Sequence, residues 1–226
     1  MKKLSLELFY IIALMPAIWP KQLFNFGISI GLPWTVHYIL LWTLVLIFAL
    51  LSAIQCWNKL QGHPRFWVTL LAFVIPIGAY FAANPIYQGD FNKQGNYVEY
   101  GHDNIILQDV LNYKPNFNGL VCVSSPSCPF CVEAVRDKIN VLHHRGNLDV
   151  LVYLPNDDGS NFKNFREKTS APNLPMIGNS KPDVGFDIDE NVIPVFLYIK
   201  NGAVIHLWRN DQLGYPALDW IERELK

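Results

Sequence analysis

Residues 36–57 read VHYILLWTLVLIFALLSAIQCW, without one Asp, Glu, Lys or Arg. As a helix this run spans about 30 Å, the thickness of the hydrocarbon core of a bilayer. It restricts its part of the chain to a membrane span or a deeply buried helix, and its length favours the span. A second run, FWVTLLAFVIPIGAYFAA over 66–83, is just long enough to do the same, and a membrane helix tolerates Pro76 and Gly78 within it. A third, over 4–19, is shorter and carries Glu7. Lys2 and Lys3 before an apolar core resemble a secretory leader, but MPAIWPK offers no small-x-small cleavage site, which favours an uncleaved anchor.

The apolar content, 51% of 226 residues against 16% charged, is therefore concentrated before Asn84, and nearly all the acidic residues follow it. This asymmetry divides the chain into a membrane region of two to three helices over 1–84, a tether over 85–103 and a soluble domain over 104–226. Membrane lipid is the partner implied for the first part. A net charge of −1 offers no basic field for a nucleic acid. Lys59 and Arg65 flank the short loop between the second and third runs, and positive loops stay cytoplasmic. The third run then carries everything after Asn84 to the opposite side, although Lys21 on that side opposes the bias. The segment 85–103, PIYQGDFNKQGNYVEYGHD, is rich in Gly, Asn and Gln without apolar periodicity and reads as irregular.

The domain after it alternates strand and helix signals. NIILQDVLNY has helical spacing, and GLVCVSS reads as a buried strand. PFCVEAVRDKINVLHH places Val132, Val135, Ile139 and Leu142 three or four residues apart, so a helix begins at the cysteines, with Pro129 in its first turn. LDVLVYLP is another strand, and GSNFKNFREK a helix with Ser160 as its expected cap. VFLYIKNGAVIHLW folds about Asn201-Gly202, a strong hairpin signal. GYPALDWIEREL closes the chain as a helix. The order implies an α/β domain with a mixed sheet flanked by helices.

Four cysteines remain to be explained, two of them in Cys128-Pro129-Phe130-Cys131. A zinc site needs a second pair of ligands at similar spacing, and none is present. A disulfide closing so small a loop removes little entropy from the unfolded chain. Disulfide exchange fits better. The first sulfur stands at a helix N-terminus, where free N–H groups stabilise a thiolate, and the second lies one turn on, within reach of a mixed disulfide. Cys122, between two valines, reads as a buried inert thiol, and Cys56 belongs to the second apolar run. Asp183, Asp187, Asp189 and Glu190 lack the spacing of a calcium loop.

CPFC between a buried strand and a helix, followed some sixty residues later by VIPVFLYIKNGAVIHLW, resembles the thioredoxin superfamily over about 104–226. The resemblance implies a thioredoxin-like fold and an active pair Cys128 and Cys131, with no cofactor and no metal. It also implies a cis proline at Pro194 lying against the cysteines. Pro129, Phe130, Ile193 and Pro194 would then bind protein thiol or disulfide substrates, with the backbone of Ile193 pairing to an extended segment. A second, unidentified redox partner would reset the pair. The long stretch before Pro194, TSAPNLPMIGNSKPDVGFDIDENV, resembles the insert of membrane-anchored extracytoplasmic members of that superfamily, which implies a multi-pass protein of the bacterial inner membrane with its C-terminal domain in the periplasm. This chain departs from the family in three places. Ser127 stands where a Trp usually precedes the first cysteine, and Cys122 stands where many members have a buried acid. The Pro-Phe dipeptide also lacks the His of the oxidising relatives, which favours reduction or isomerisation over strong oxidation. The alternative is a thioredoxin-fold copper(I) carrier, since thiolates suit that ion, but such carriers space their cysteines by three residues.

Overall fold

The computed structural model describes residues 6–19, 22–23, 26–27, 30–62, 64–83, 96–100, 105–146, 148–179, 193–209 and 212–224. The chain divides into two compact units, Met1–Tyr87 and Gln88–Lys226.

The first unit contains helices α1 (Leu6–Ile18), α2 (Trp34–Lys59) and α3 (Pro64–Ala83). Among the described residues, α2 and α3, with 26 and 20 residues, are long and apolar enough to cross a bilayer. Helix α1 is described over 13 residues. Along α2 the buried residues Trp34, His37, Leu41, Val45, Ala49 and Ala53 recur every three or four positions and so form one face. Leu41 and Val45 on that face pack with Tyr80 of α3, and the Trp42 ring meets Tyr80 edge-on with centroids 4.7 Å apart. The outward positions are as apolar as the inward ones: Ile39, Leu46, Ile47, Leu50 and Ile54 on α2 and Phe66, Trp67, Leu71 and Val74 on α3 are all exposed. Helices apolar all round belong either to the core of a large protein or to a membrane span. At the α2–α3 turn the Arg65 guanidinium lies 3.7 Å over the Trp57 ring, close in sequence to Lys59.

The second unit is built on a six-stranded sheet. Its strands are β1 (Asn96–Tyr100), β2 (Gly119–Val123), β3 (Asp149–Pro155), β4 (Met176–Asn179), β5 (Val195–Lys200) and β6 (Ala203–Arg209), in the order β1-β6-β5-β2-β3-β4. Strands β2, β3 and β4 run parallel, while β5, β6 and β1 are antiparallel to their neighbours. The inner four, β6-β5-β2-β3, have the thioredoxin-like arrangement, so the fold is a mixed α/β sheet of that class. All five residues of β2 are buried, as expected for a central strand covered on both faces. Val121 and Val123 share one face with Leu151, Tyr153, Leu197 and Ile199, and helix α4 (Ile105–Tyr113) contributes Ile106, Leu107 and Val110 to that core. Leu120 and Cys122 point the other way, in register with Val150 and Val152 on one side and Tyr198 and Phe196 on the other. Gly119 is required where β2 begins, because a Cβ there would run into the Asp149 carbonyl of β3. At the hairpin, Asn201 and Gly202 have φ of 53° and 77°, the pair of positive values that a tight two-residue turn demands.

Helix α5 occupies 129–145 and joins Pro129–Ala134, a π-helical turn Val135–Ile139 and Asn140–Arg145. Helices α6 (Phe162–Thr169) and α7 (Tyr215–Glu224) complete the unit. The Arg145 guanidinium, at the end of α5, donates to the Glu222 carboxylate of α7 at 2.6 Å, and Lys138 Nζ donates to the Leu213 carbonyl at 2.6 Å. The helix that begins at the cysteines is thus fastened at its far end.

The structure departs from the sequence expectations in four places. Residues 96–100, within the segment expected to be irregular, form β1 against β6. Met176–Asn179, within the expected insert, adds β4 to the parallel edge. Ser160 does not cap α6. The Asp157 carboxylate instead accepts from the amides of Gly159 at 2.8 Å and Asn161 at 3.4 Å. The helix after the cysteines contains a π turn where a regular one was expected. The rest of the expected tether, the remainder of the insert from 180 to 192 with its four acids, and Lys21 lie outside the described residues.

Candidate active site

Strand β2 ends at Val123, and its chain continues through Ser124 to Ser127 before α5 begins. Cys128 is the N-cap residue of that helix, in extended backbone with φ −89° and ψ 114°, and Pro129 takes the first helical position. A proline there loses no hydrogen bond, since the first amides of a helix have no partner within it. The amide of Cys131 uses the cap: it donates to Cys128 Sγ at 3.2 Å. Cys128 Sγ also lies 3.9 Å from the carbonyl oxygen of Ile193, to which the thiol donates. The Ile193–Pro194 peptide is cis, and Pro194 is buried immediately before β5. The loop before β5 and the start of α5 therefore converge on one sulfur.

The two cysteines differ in access. Cys128 is partly exposed, whereas Cys131 has no exposed surface. Burial pushes the Cys131 thiol up to about 12, reinforced by its hydrogen bond with Cys128; the Ser125 amide and the Ser124 hydroxyl pull the other way. Cys122 is also wholly enclosed, and burial raises its thiol well above the ordinary range. Around the pair, Phe130 stands 65% exposed, conspicuous for an aromatic side chain, beside exposed Pro129. The entry loop is held by Ser125 and Ser127, whose hydroxyls lie 2.9 Å apart, and by Lys168 Nζ donating to the Pro126 carbonyl at 3.3 Å.

Of the residues singled out in the sequence, Cys128, Cys131 and Ile193 meet at one point, Pro194 adjoins it, and Pro129 and Phe130 form its exposed rim. Cys56 belongs to the other unit. Ser124 and Ser125, which face Cys131, were not singled out. The signal for Ser124 lay in strand alternation, since 120, 122 and 124 share a face. Among the described residues, no three His, Cys, Asp or Glu side chains are grouped to hold a metal ion.

No family model and no curated protein matches the sequence. Among solved structures, the chain is similar to a secreted Mycobacterium tuberculosis disulfide oxidoreductase homologous to E. coli DsbE. The two share 13% identity with a TM-score of 0.37, over 49% of this chain and 81% of that one. The fold class given above rests on this chain's own strand order and directions.

Proposed function

We propose that the chain is a membrane-anchored thiol–disulfide oxidoreductase whose Cys128–Cys131 pair exchanges disulfides with protein substrates outside the cytoplasm. The observation that carries this reading is the asymmetry of the pair. An accessible sulfur caps a helix beneath a backbone carbonyl, and an enclosed sulfur follows one turn later. In the reducing direction, the Cys128 thiolate attacks one sulfur of a substrate disulfide, forming a mixed disulfide and expelling the other sulfur as a thiolate. Cys131 then loses its proton and attacks Cys128. The Cys128–Cys131 bond forms, the bond to the substrate breaks, and two electrons have passed from the dithiol to the substrate. The carbonyl of Ile193 would accept from a substrate amide, while Phe130 and Pro129 offer it an apolar edge. Pro-Phe between the cysteines favours reduction or isomerisation, and a second redox protein would restore the dithiol. A copper(I) carrier has less support, since no third ligand stands near the pair among the described residues.

Alkylation of the reduced full chain in detergent tests the asymmetry. Because the thiolate is the reactive form, a limited pulse of iodoacetamide at neutral pH should modify Cys128 and spare Cys131. Labelling of Cys131 should climb only as pH rises toward about 12. Preferential modification of Cys131 at neutral pH would reverse the roles.

The anchoring has a separate test. With Lys59 and Arg65 holding the α2–α3 turn on the cytoplasmic side, a phosphatase that folds only outside the cytoplasm should be active when fused after Lys226. A reporter active only in the cytoplasm should stay dark at that point, and its activity there would contradict the orientation.

A further inference from the structure

A thiol as deeply enclosed as Cys131 needs help to become an anion, and the described residues supply no acid or base to give it. The titratable group that acts on it is Cys128, from its own helix, and it disfavours the charge. No carboxylate, lysine or histidine among the described residues does so. What remains are hydrogen-bond donors, and one of them is unusual. Ser124 continues the ladder one residue past β2, its amide donating to the Tyr153 carbonyl at 2.9 Å. Strand alternation therefore turns its side chain to the Cys122 face, under the start of α5. There Ser124 has no exposed surface, and its hydroxyl has no hydrogen-bond partner. Buried hydroxyls in folded proteins are nearly always satisfied, and one that is not calls for a reason. The same hydroxyl pulls the thiols of Cys131 and Cys122 down, the effect of a donor on the face where both are enclosed.

We propose that Ser124 is a positioning residue for disulfide resolution: its hydroxyl, enclosed without a partner in the dithiol, donates to the Cys131 thiolate that must form before Cys131 attacks the mixed disulfide on Cys128. This deepens the oxidoreductase reading and rests on it. The hydroxyl is no base. The proton of Cys131 leaves to solvent, the Cys131–Cys128 bond forms as the bond from Cys128 to the substrate sulfur breaks, and the substrate departs as a thiolate. Ser124 makes the anionic stage of that sequence more accessible, as a donor already placed beside the sulfur that loses its proton. A stability role would predict a less stable alanine variant, whereas removing an unsatisfied buried hydroxyl relieves a cost instead of creating one.

A single turnover separates these roles. In the full chain, in detergent and in a Cys56→Ala background that removes the membrane thiol, dithionitrobenzoate charges Cys128 and releases one thionitrobenzoate. Attack by Cys131 then releases a second. Ser124→Ala should leave the first release unchanged and slow the second about tenfold at each neutral or mildly alkaline pH, the effect of one hydrogen bond to a charged sulfur. Ser124→Thr should restore it, and the melting temperature of the alanine variant should not fall. An unchanged second release would overturn the role of Ser124 and leave the oxidoreductase reading standing. Equal slowing of both releases, or failure of threonine to rescue, would also overturn it, as a general distortion of the site. Absence of a second release from the Ser124 parent would instead remove Cys131 as the resolving thiol, and the oxidoreductase reading with it.

Discussion

Arg145→Met is expected to destabilise the C-terminal unit by about 3–5 kcal/mol, more than any single surface change there. The guanidinium and the Glu222 carboxylate are 12% and 9% exposed and meet at 2.6 Å, so neither is solvated well enough to stand alone. Glu222 Oε1 already lacks a partner, and loss of Arg145 would leave the carboxylate buried with its charge uncompensated. For a unit of this size the melting temperature of the full chain in detergent should fall by an amount on the order of 10 °C. Arg145→Met combined with Glu222→Leu should recover most of that fall, because the penalty lies in the orphaned charge and not in the absence of the pair. An unchanged melting temperature in the single variant would show that the α5–α7 link carries no load. The link matters to function because α5 begins with the two cysteines, and Arg145 and Lys138 tie the rest of that helix to α7 and the loop before it.

The parts of the fold that could be read in advance are those in which a local signal and the tertiary structure agree. GLVCV is apolar at every position because β2 is covered on both faces, and Asn201-Gly202 turns the β5–β6 hairpin because both positions need positive φ. The helix at Cys128 follows from the spacing of Val135, Ile139 and Leu142, all buried. The features missed are those whose cause lies elsewhere in the chain. Asn96–Tyr100 is a strand only because β6 offers it an edge, and Gly and Asn around it masked its β-forming residues. Met176–Asn179 is four residues long and set between turn-forming residues, too short for periodicity to show, and β3 supplies its partner. Ser160 is not the cap of α6 because the helix starts at Phe162 with Asn161 in the cap position, while Asp157 and Asp158 hold the turn before it. Ser124 lay within the run read as a buried strand and was not singled out, since no pattern in one sequence tells that a hydroxyl will be closed off near a thiol. The cysteine pair was legible from its placement, whereas Ile193 and Pro194 were found only through resemblance to a family, because no local pattern brings residue 193 to residue 128.

Cys131→Ser carries the largest chemical effect expected of this chain. A serine hydroxyl is close in size to the thiol but cannot attack a disulfide at neutral pH, so a partner caught by Cys128 has no exit through the enzyme. The lifetime of the mixed disulfide should then lengthen from that of a transient to that of a stable adduct. Cys128→Ser should capture far less, since the remaining sulfur is enclosed and its thiol is held up near 12 by burial. The decisive measurement is a non-reducing gel of membranes from cells producing the full-length Cys131→Ser protein, with the adducts identified by mass spectrometry. Thiol–disulfide exchange predicts discrete protein adducts that vanish on reduction and are lost when Cys128 is also replaced. The contrary result is a Cys131→Ser protein that captures nothing, together with a wild-type chain that purifies with one equivalent of copper(I).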